Sequence, residues 1–449
     1  MTPKTAGAGA PRSPTPLRLD LGGGAVGFVE SSPALPLVSI VVALRAGGAA
    51  DPQGKDGLVR FTGRLLRRGC EGMSSTDIEA AIDGLGGELG LDVGPSSTSL
   101  HGQVIRRNLR PFCELLAKIL GRPTFADEEL GRLKRETKAE IVEARDSDRS
   151  LASVAFRRAL FGGHPYGRGA TGRISTVDTI DKDDVLTTYR RTFVRGDLVV
   201  GFAGAITEEE ARGMGALLAA ALPEGAPASL DIPEPPAPSG RRLYFVDKPE
   251  RTQTQILIGG LGTSAHDPDH VPLLAATAVL GGTFTSRLMR EIRSKRGWSY
   301  GTSARLSVDR RRHAFVMSAA PGAADCAPCV ALELQMLEEF VASGITAREL
   351  GFIKNYLVRS HAFEVDTASK RLHQALDVEL LGLPADYHAR HVEHVRAVTL
   401  EQANAAVGAR LSSEDLVIVV VGTADELLDE LTSAVPGLAG HEVLAFDRD

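Results

Sequence analysis

Apolar residues recur at helical spacing in the segment 57–69, where Leu58, Phe61 and Leu65 lie three and four positions apart. This spacing predicts an amphipathic helix. The segment also contains four arginines on the opposite side of that helix, because side chains at i, i+4, i+7 and i+8 lie close together. They are Arg60, Arg64, Arg67 and Arg68. Taken alone, the pattern is typical of a basic helix face in contact with solvent.

Elsewhere the pattern alternates between short apolar runs and long helical stretches. Residues 37–44 and 253–258 read as strands, whereas 128–160 and 346–362 read as helices. Strands that alternate with helices in this way predict a two-layer α+β sandwich.

The chain repeats itself at an offset of 218 residues, as Val395 follows Val177. The matching positions are Val177, Ile180, the run 197–200 and Gly204 in the first copy, and Val395, Val398, the run 415–418 and Gly422 in the second. Each copy reads as a helix, a short loop and a buried strand that ends in glycine. An offset this long indicates duplication of a whole domain rather than a solenoid repeat.

A proline-rich segment separates the two copies. We therefore predict a first domain over 17–222, a linker over 223–242 and a second domain over 243–449. Residues 1–16 are rich in Ala, Pro, Gly, Ser and Thr and carry little apolar character, so we expect a disordered tail there.

Composition narrows the class of protein. The hydrophobic fraction of 43% and the charged fraction of 24% are those of an ordinary globular protein. The formal charge of −6 gives no basic footprint for nucleic acid, so we expect no such partner. The sequence shows neither an apolar run long enough to span a membrane nor the apolar core of a signal peptide. We therefore expect a cytoplasmic protein without a membrane partner.

Several short segments, taken in order, carry a family resemblance. They are the helix segment 57–69, Ser74-Ser75-Thr76-Asp77-Ile78-Glu79, Leu85-Gly86-Gly87-Glu88, the run 122–130 and His164-Pro165-Tyr166-Gly167. In this order they resemble the M16 (pitrilysin, or insulinase-like) zinc metallopeptidases, in particular the small M16B type. The resemblance covers both halves. It implies two domains of one fold that form half of a clam-shell chamber.

The resemblance places a zinc motif where this chain has none. In that family the helix that corresponds to residues 60–64 carries H-x-x-E-H, with two histidine ligands and a general-base glutamate. Here those positions are Arg60, Gly63 and Arg64. A guanidinium has no lone pair for a metal and repels it. The third ligand of the family corresponds to Glu140, and one ligand does not hold zinc.

We therefore expect no metal and no cofactor in this chain. Glu140 should instead pair with Arg60 or Arg64, because a partly buried carboxylate needs a compensating charge.

The sequence feature that points to a functional role lies in the second half, in the segment 280–300. Leu288, Met289 and Ile292 form an apolar stripe on a predicted helix, and Gly297 is a natural helix stop. The segment from Trp298 to Leu306 then reads as a strand.

This segment resembles the second-domain signature of M16 peptidases, in which an Arg and a Tyr stand seven residues apart; here they are Arg293 and Tyr300. The resemblance implies that the pair reaches the zinc site and the scissile carbonyl from across the chamber. A phenol and a guanidinium held in a dry chamber can stabilise the negative charge that forms on that carbonyl oxygen. The alternative is a basic helix face with a core tyrosine.

Two further groups have a chemical and a structural interpretation. His388, His391 and His394 could share one side of a helix and bind a metal, or they could belong to an exposed helix. Cys326 and Cys329 form a C-x-x-C pair, but neither a thioredoxin-like context nor a second pair at zinc-finger spacing accompanies them. A structural role is favoured for both groups.

The resemblance predicts a non-catalytic, zinc-less subunit of a heterodimeric M16B metallopeptidase. Its partner would be a zinc-bearing M16B homologue, to whose active site it would supply Arg293 and Tyr300. The substrate would be a peptide or unfolded segment, added as a strand to a sheet edge inside the chamber. The alternative is a purely structural or peptide-holding homologue with no peptidase role. Retention of Arg293 and Tyr300 favours the zinc-less peptidase subunit over the purely structural homologue.

Overall fold

The structure is a computed structural model that describes residues 15–227 and 231–449. The predicted tail 1–16 lies mostly outside these residues. The strands are β1 Leu17–Asp20, β2 Val26–Ser31, β3 Leu37–Leu44, β4 Gly69–Cys70, β5 Met73–Ser74, β6 Glu88–Val93, β7 Thr98–Ile105, β8 Leu198–Gly204, β9 Arg241–Asp247, β10 Gln255–Leu261, β11 Thr302–Leu306, β12 Ala314–Ala319, β13 Val417–Gly422 and β14 Leu438–Ala445.

The α-helices pack against two of the sheets that these strands form. They are α1 Leu58–Leu66, α2 Ser75–Gly84, α3 Leu109–Gly121, α4 Asp127–Ala144, α5 Asp148–Phe161, α6 Ile174–Thr179, α7 Lys182–Thr192, α8 Glu208–Ala221, α9 His270–Thr277, α10 Cys326–Ser343, α11 Ala347–Glu364, α12 Ala368–Leu381, α13 His391–Ala397, α14 Leu400–Arg410 and α15 Ala424–Ala434. Two π-helical segments, Ala278–Gly282 and Met289–Lys295, lie between α9 and β11.

Each half of the chain builds one six-stranded mixed sheet. The first sheet has the order β1-β2-β8-β3-β7-β6 and the second the order β11-β12-β10-β13-β9-β14. In both sheets one inner pair is parallel, β2 with β8 and β9 with β13, and the next three pairs are antiparallel. The predicted α+β sandwich in two related domains is confirmed.

The outermost strand beside the parallel pair distinguishes the two sheets. In the first sheet it is β1, which runs antiparallel to β2. In the second it is β14, which runs parallel to β9. The repeat itself is close, since α7 and α14 begin and end 218 residues apart.

The predicted strand over 37–44 agrees with β3, but the one over 253–258 is displaced. Gln253 forms an isolated bridge with Gly322, and the N–H of Thr254 donates to the Pro321 carbonyl, so the ladder begins only at Gln255. The strand then continues to Leu261, because Gly259 admits the Phe315 carbonyl where a Cβ would meet it at 2.0 Å. No helix or strand occupies the described residues between α8 and β9.

Both faces of the central strands β3, β8 and β13 are buried, which explains their nearly continuous apolar runs. Alternate residues of a strand point to opposite faces. In β3, Ile40, Val42 and Leu44 therefore join the core of the first half, whereas Val41 and Ala43 face a helix of the second half.

Each half of the chain contributes one helix that packs on the sheet of the other half. From the second half, α12 packs on the first sheet through Leu372, Leu376 and Leu380. From the first half, α5 packs on the second sheet, where Phe156 and Leu160 belong to one cluster with the alternate residues of β13. Each half therefore completes the burial of the other half's sheet.

This exchange explains why the single helix predicted over 128–160 is wrong. The chain breaks at 145–147, between α4 and α5. The Lys248 ammonium donates to the carbonyls of Arg145 and Asp146 at 3.0 and 2.9 Å, and the Ser147 hydroxyl accepts from the Ser150 N–H as the cap of α5. After this break α5 crosses to the second sheet, whereas α4 stays beside α1.

Buried polar contacts stabilise the interface between the two halves. Ser96 and Tyr166 of the first half donate their hydroxyls to Asp309 of the second, Tyr166 at 2.9 Å. Arg371 of α12 forms an ion pair with Glu30 at the end of β2. Within residues 15–227 and 231–449, no helix has both the length and the apolar character needed to cross a bilayer.

Candidate functional site

The predicted amphipathic helix is α1, whose apolar side packs into the core of the first half. Its first turn is capped by Asp51, whose carboxylate accepts from the backbone N–H groups of Gly57 and Val59 at 2.7 and 2.8 Å. Burial raises the pKa of Asp51 to about 7. The helix ends at Leu66, so Arg67 and Arg68 lie just beyond it instead of on its last turn.

The arginine side of α1 faces α4 rather than open solvent. Arg64 Nη2 lies 2.7 Å from Glu140 Oε1, and Arg64 Nη1 donates to Glu140 Oε2 at 2.9 Å. Arg60 Nη2 lies 3.2 Å from the same Glu140 Oε2. The predicted pairing of Glu140 with these arginines is confirmed, with both arginines as partners.

A second glutamate extends the network one turn along α4. Glu136 lies between Arg64, at 3.8 Å, and Arg68, to which it is bidentate. Arg68 also lies 3.7 Å from Glu129. The interpretation of a freely solvated basic face is therefore wrong. The acidic side of α4 was visible in the sequence as glutamates four and seven residues apart, but its neighbour across space was not.

The geometry at α1 does not fit a zinc ion. Partial burial alone would raise the pKa of Glu140, but the hydrogen bond from Arg64 and the charges of Arg64 and Arg60 outweigh it and lower the pKa. The carboxylate is thus held ionised and already bound by two cations, which repel a metal. Position 63 has no carboxylate, and a Cβ there would lie 3.0 Å from Leu91. In the described part of the chain, no three His, Cys, Asp or Glu side chains are placed to hold a metal.

The segment that carries Arg293 is anchored by its apolar stripe. Leu288, Met289 and Ile292 are buried, and the helical turns end at Gly297, which adopts a φ of 70°. The predicted helix stop is confirmed. The strand begins only at Thr302, because 298–301 form a loop closed by the Ser299 hydroxyl, which donates to the Gly301 carbonyl at 2.7 Å.

Arg293 and Tyr300 lie together on the surface. The guanidinium carbon of Arg293 lies 4.8 Å from the centre of the Tyr300 ring and 4.5 Å from that of Phe284. Tyr300 is 89% exposed, so the alternative of a core tyrosine is wrong. Phe284, which is 71% exposed, also belongs to this group, and no motif or spacing in the sequence singles it out. The arrangement leaves the phenol of Tyr300 and the guanidinium donors of Arg293 available to a ligand.

His388 and His391 are more buried than they would be on an exposed helix. His388 lies in the turn before α13, and His391 opens that helix. Both line a cavity of about 560 Å³ together with His361, whose ring centre lies 5.0 Å from that of His391. Burial, followed by the neighbouring imidazoles, lowers the pKa of His388 and of His391 to about 4. These rings are neutral at physiological pH.

The C-x-x-C pair lies in the core. Cys326 and Cys329 begin α10, and both are fully buried free thiols. Burial raises the pKa of Cys326 to about 11 and that of Cys329 further. A buried thiol without thiolate character is not a nucleophile or a metal ligand, so packing accounts for both residues.

Comparisons with known proteins agree with this architecture. The family model described as "Insulinase (Peptidase family M16)" matches residues 28–172, and the one described as "Peptidase M16 inactive domain" matches 179–357. The "non-peptidase homolog YmxG" of Helicobacter pylori is 22% identical over 394 residues, which are 87% of this chain and 90% of that protein. An uncharacterized zinc protease of Mycobacterium tuberculosis is 27% identical over 413 residues, 88% of this chain and 91% of that protein.

Solved structures share the fold. A crystal structure described as the peptidase M16 inactive domain from Pseudomonas fluorescens has a TM-score of 0.84 at 24% identity and covers 91% of this chain and 98% of its own. A chain in complex III2 of Candida albicans has a TM-score of 0.75 at 14% identity, with 93% and 99% covered. The two family models together span most of the sequence, and the chain belongs to the M16, insulinase-like peptidase family.

Within that family, relatives have been named both zinc protease and non-peptidase homologue. The residues at α1 agree with a non-catalytic role, because Arg60, Gly63 and Arg64 offer no ligand to a metal.

Proposed function

We propose that this chain is the zinc-less subunit of a heterodimeric M16B peptidase and that Arg293 and Tyr300 complete the active site of a zinc-bearing partner. The observation that carries the proposal is the contrast between the two halves. At α1, Arg60, Gly63 and Arg64 replace the two histidine ligands and the general base of the family motif, and the one remaining ligand, Glu140, is bound by Arg60 and Arg64. At the second site, the Tyr300 phenol is exposed, and the half-buried Arg293 guanidinium lies 4.8 Å from the centre of its ring.

Exposure of Tyr300 supports a role in trans. A tyrosine that is 89% exposed contributes little to the core of its own domain. Arg293 donates no side-chain hydrogen bond to any described residue, so its donors are available to a ligand. A partner that covers the pair would exclude water, and in the drier site both donors would stabilise a developing oxyanion more strongly.

The substrate that fits this proposal is an extended peptide or an unfolded segment. Such a segment can pair its backbone with an open sheet edge, and a closed chamber excludes folded proteins by size. Zinc would be supplied by the partner alone. A chain that only holds peptides or supports a larger assembly is the competing function.

Reconstitution distinguishes the two functions. The chain, a zinc-bearing M16 homologue from the same organism, and their mixture would each be assayed with a quenched fluorescent peptide and with an unfolded protein. We expect the chain alone to be inactive and the mixture to exceed the homologue alone. An equimolar complex with no gain in turnover would instead support the structural function, as would the absence of any complex.

A further inference from the structure

Arg293 differs from the other cations of its segment in its surroundings. Arg287 is bidentate to Glu349 of α11, at 2.8 and 2.7 Å. Glu291 accepts from Lys295 at 2.7 Å and from Arg296 at 3.0 Å. Arg290 also lies within 3.9 Å of Glu291.

The Arg293 guanidinium, in contrast, has no ion pair or side-chain hydrogen bond within the described residues. Its neighbours are two aromatic faces, Phe284 at 4.5 Å and Tyr300 at 4.8 Å from its central carbon. Arg296 also lies over a ring, 5.3 Å from Trp298, but that arginine is already paired with Glu291. Among the described residues, the Arg293 guanidinium is therefore held by its aromatic neighbours and not by an ion pair.

Contact with aromatic rings leaves the N–H donors of a guanidinium free. All five N–H donors of arginine lie in the plane of the group, so a ring over a face of the guanidinium leaves every donor free at the edge. Such cation–π contacts attract the guanidinium and restrict a long side chain without occupying a single donor. A carboxylate partner would fix the side chain equally well but would take up the donors.

Phe284 has no other evident role in the fold. It is 71% exposed, and it lies in the turn between the two π-helical segments, outside the hydrophobic core of the second half. A large apolar ring left in water beside an unpaired cation is better explained by the contact with that cation than by packing.

We propose that Phe284 is a positioning residue, which with the Tyr300 ring stacks on Arg293 and directs its free donors at a ligand oxygen. The ligand class is a backbone carbonyl or a carboxylate of an extended peptide. This inference rests on the proposed function for the identity of the ligand, but the stacking itself can be tested without any partner.

The stacking is measured by the Arg293 Nε–H resonance of the isolated chain, assigned with Arg293→Lys. A ring that stacks on the guanidinium shifts this proton upfield. We expect Phe284→Ala to move it toward the position of an unstacked arginine and Phe284→Tyr to leave it nearly unchanged. Phe363→Ala is the matched control, because Phe363 is also 71% exposed but lies on α11. An unchanged resonance in Phe284→Ala would overturn the proposal.

The consequence for activity is measured on the mixed complex. We expect Phe284→Ala to lower kcat by up to about 10²-fold with little change in KM, as loss of orientation does, and Phe284→Tyr to restore it. If the resonance moves but kcat does not, Phe284 does not position Arg293 for the reaction. If the resonance moves and the wild-type pair has no peptidase activity, the proposed function fails while the stacking stands.

Discussion

Single residues in this chain differ in whether their partners could be anticipated. Arg64 and Glu140 could, because the family resemblance placed both at one site, and a cation next to a carboxylate forms a pair. Glu333 could not, since α10 reads as an ordinary amphipathic helix. It is fully buried, and neither of its carboxyl oxygens has a hydrogen-bond partner among the described residues. Burial raises the pKa of Glu333 to about 8.

This buried carboxyl predicts a pH-dependent stability. Its pKa in the folded state lies above the ordinary value of 4.5, so its contribution is fully present below pH 4.5 and is lost as the pH rises towards 8. Glu333→Gln keeps the shape without the ionisation. We expect the free energy of unfolding of the variant to exceed that of wild type by an amount that grows by about 1.4 kcal/mol per pH unit in this window.

Chemical denaturation at pH 5, 6, 7 and 8 measures this difference. Glu339→Gln on the same helix is the control, because Glu339 is exposed and its variant should follow wild type at every pH. Parallel curves for wild type and Glu333→Gln would contradict the prediction.

Among the elements, α1 and α4 are joined by ion pairs. Arg60 and Arg64 of α1, and Arg68 just beyond it, pair with Glu136 and Glu140 of α4. These pairs are partly exposed, and each such pair contributes about 1 kcal/mol or less. The arrangement preserves the packing of the two helices without preserving the chemistry.

Replacing Arg60 and Arg64 by histidine should therefore create a zinc site. R60H/R64H supplies two imidazoles opposite Glu140, which gives the three protein ligands of a catalytic zinc site. We expect elemental analysis after dialysis to find about one zinc per chain in this variant and none in wild type. R67H/R68H, with the same two changes just past the end of α1, is the control. Stoichiometric zinc in wild type, or none in a folded R60H/R64H, would contradict the account.

The short apolar run over 37–44 predicted β3 residue for residue. Periodicity could not locate the break between α4 and α5, because the carbonyls freed there are bound by Lys248, about a hundred residues away in sequence. It also could not place Phe284 beside Arg293, since a stack depends on the path of the turn that separates them.

The whole molecule is held together by the exchange of α5 and α12. Each helix lies at an equivalent position of the repeat, and each covers the sheet of the other half. Gly201 shows how close the contact is, because a Cβ at that position would lie 2.7 Å from Leu372 of α12. Neither sheet is fully covered by its own half, so the halves should unfold together.

Leu372→Ala tests this coupling. The side chain is fully buried between the halves, and its loss should cost about 2–5 kcal/mol. Fluorescence of Trp298, the single tryptophan, reports on the second half, whereas far-UV circular dichroism reports on both. We expect one transition by both probes in wild type and a common shift in the variant. A fluorescence transition that stays at the wild-type position while the circular dichroism signal splits would show independent halves.

If this chain completes the active site of another subunit, Tyr300→Phe should impair the turnover of the reconstituted pair. The substitution removes one hydroxyl and keeps the ring that stacks on Arg293. We predict that the complex forms normally and that turnover falls by about 10²–10³-fold, as the loss of one oxyanion donor does. Turnover equal to that of the wild-type pair, in a complex of equal stability, would contradict the claim and leave Tyr300 without a catalytic role.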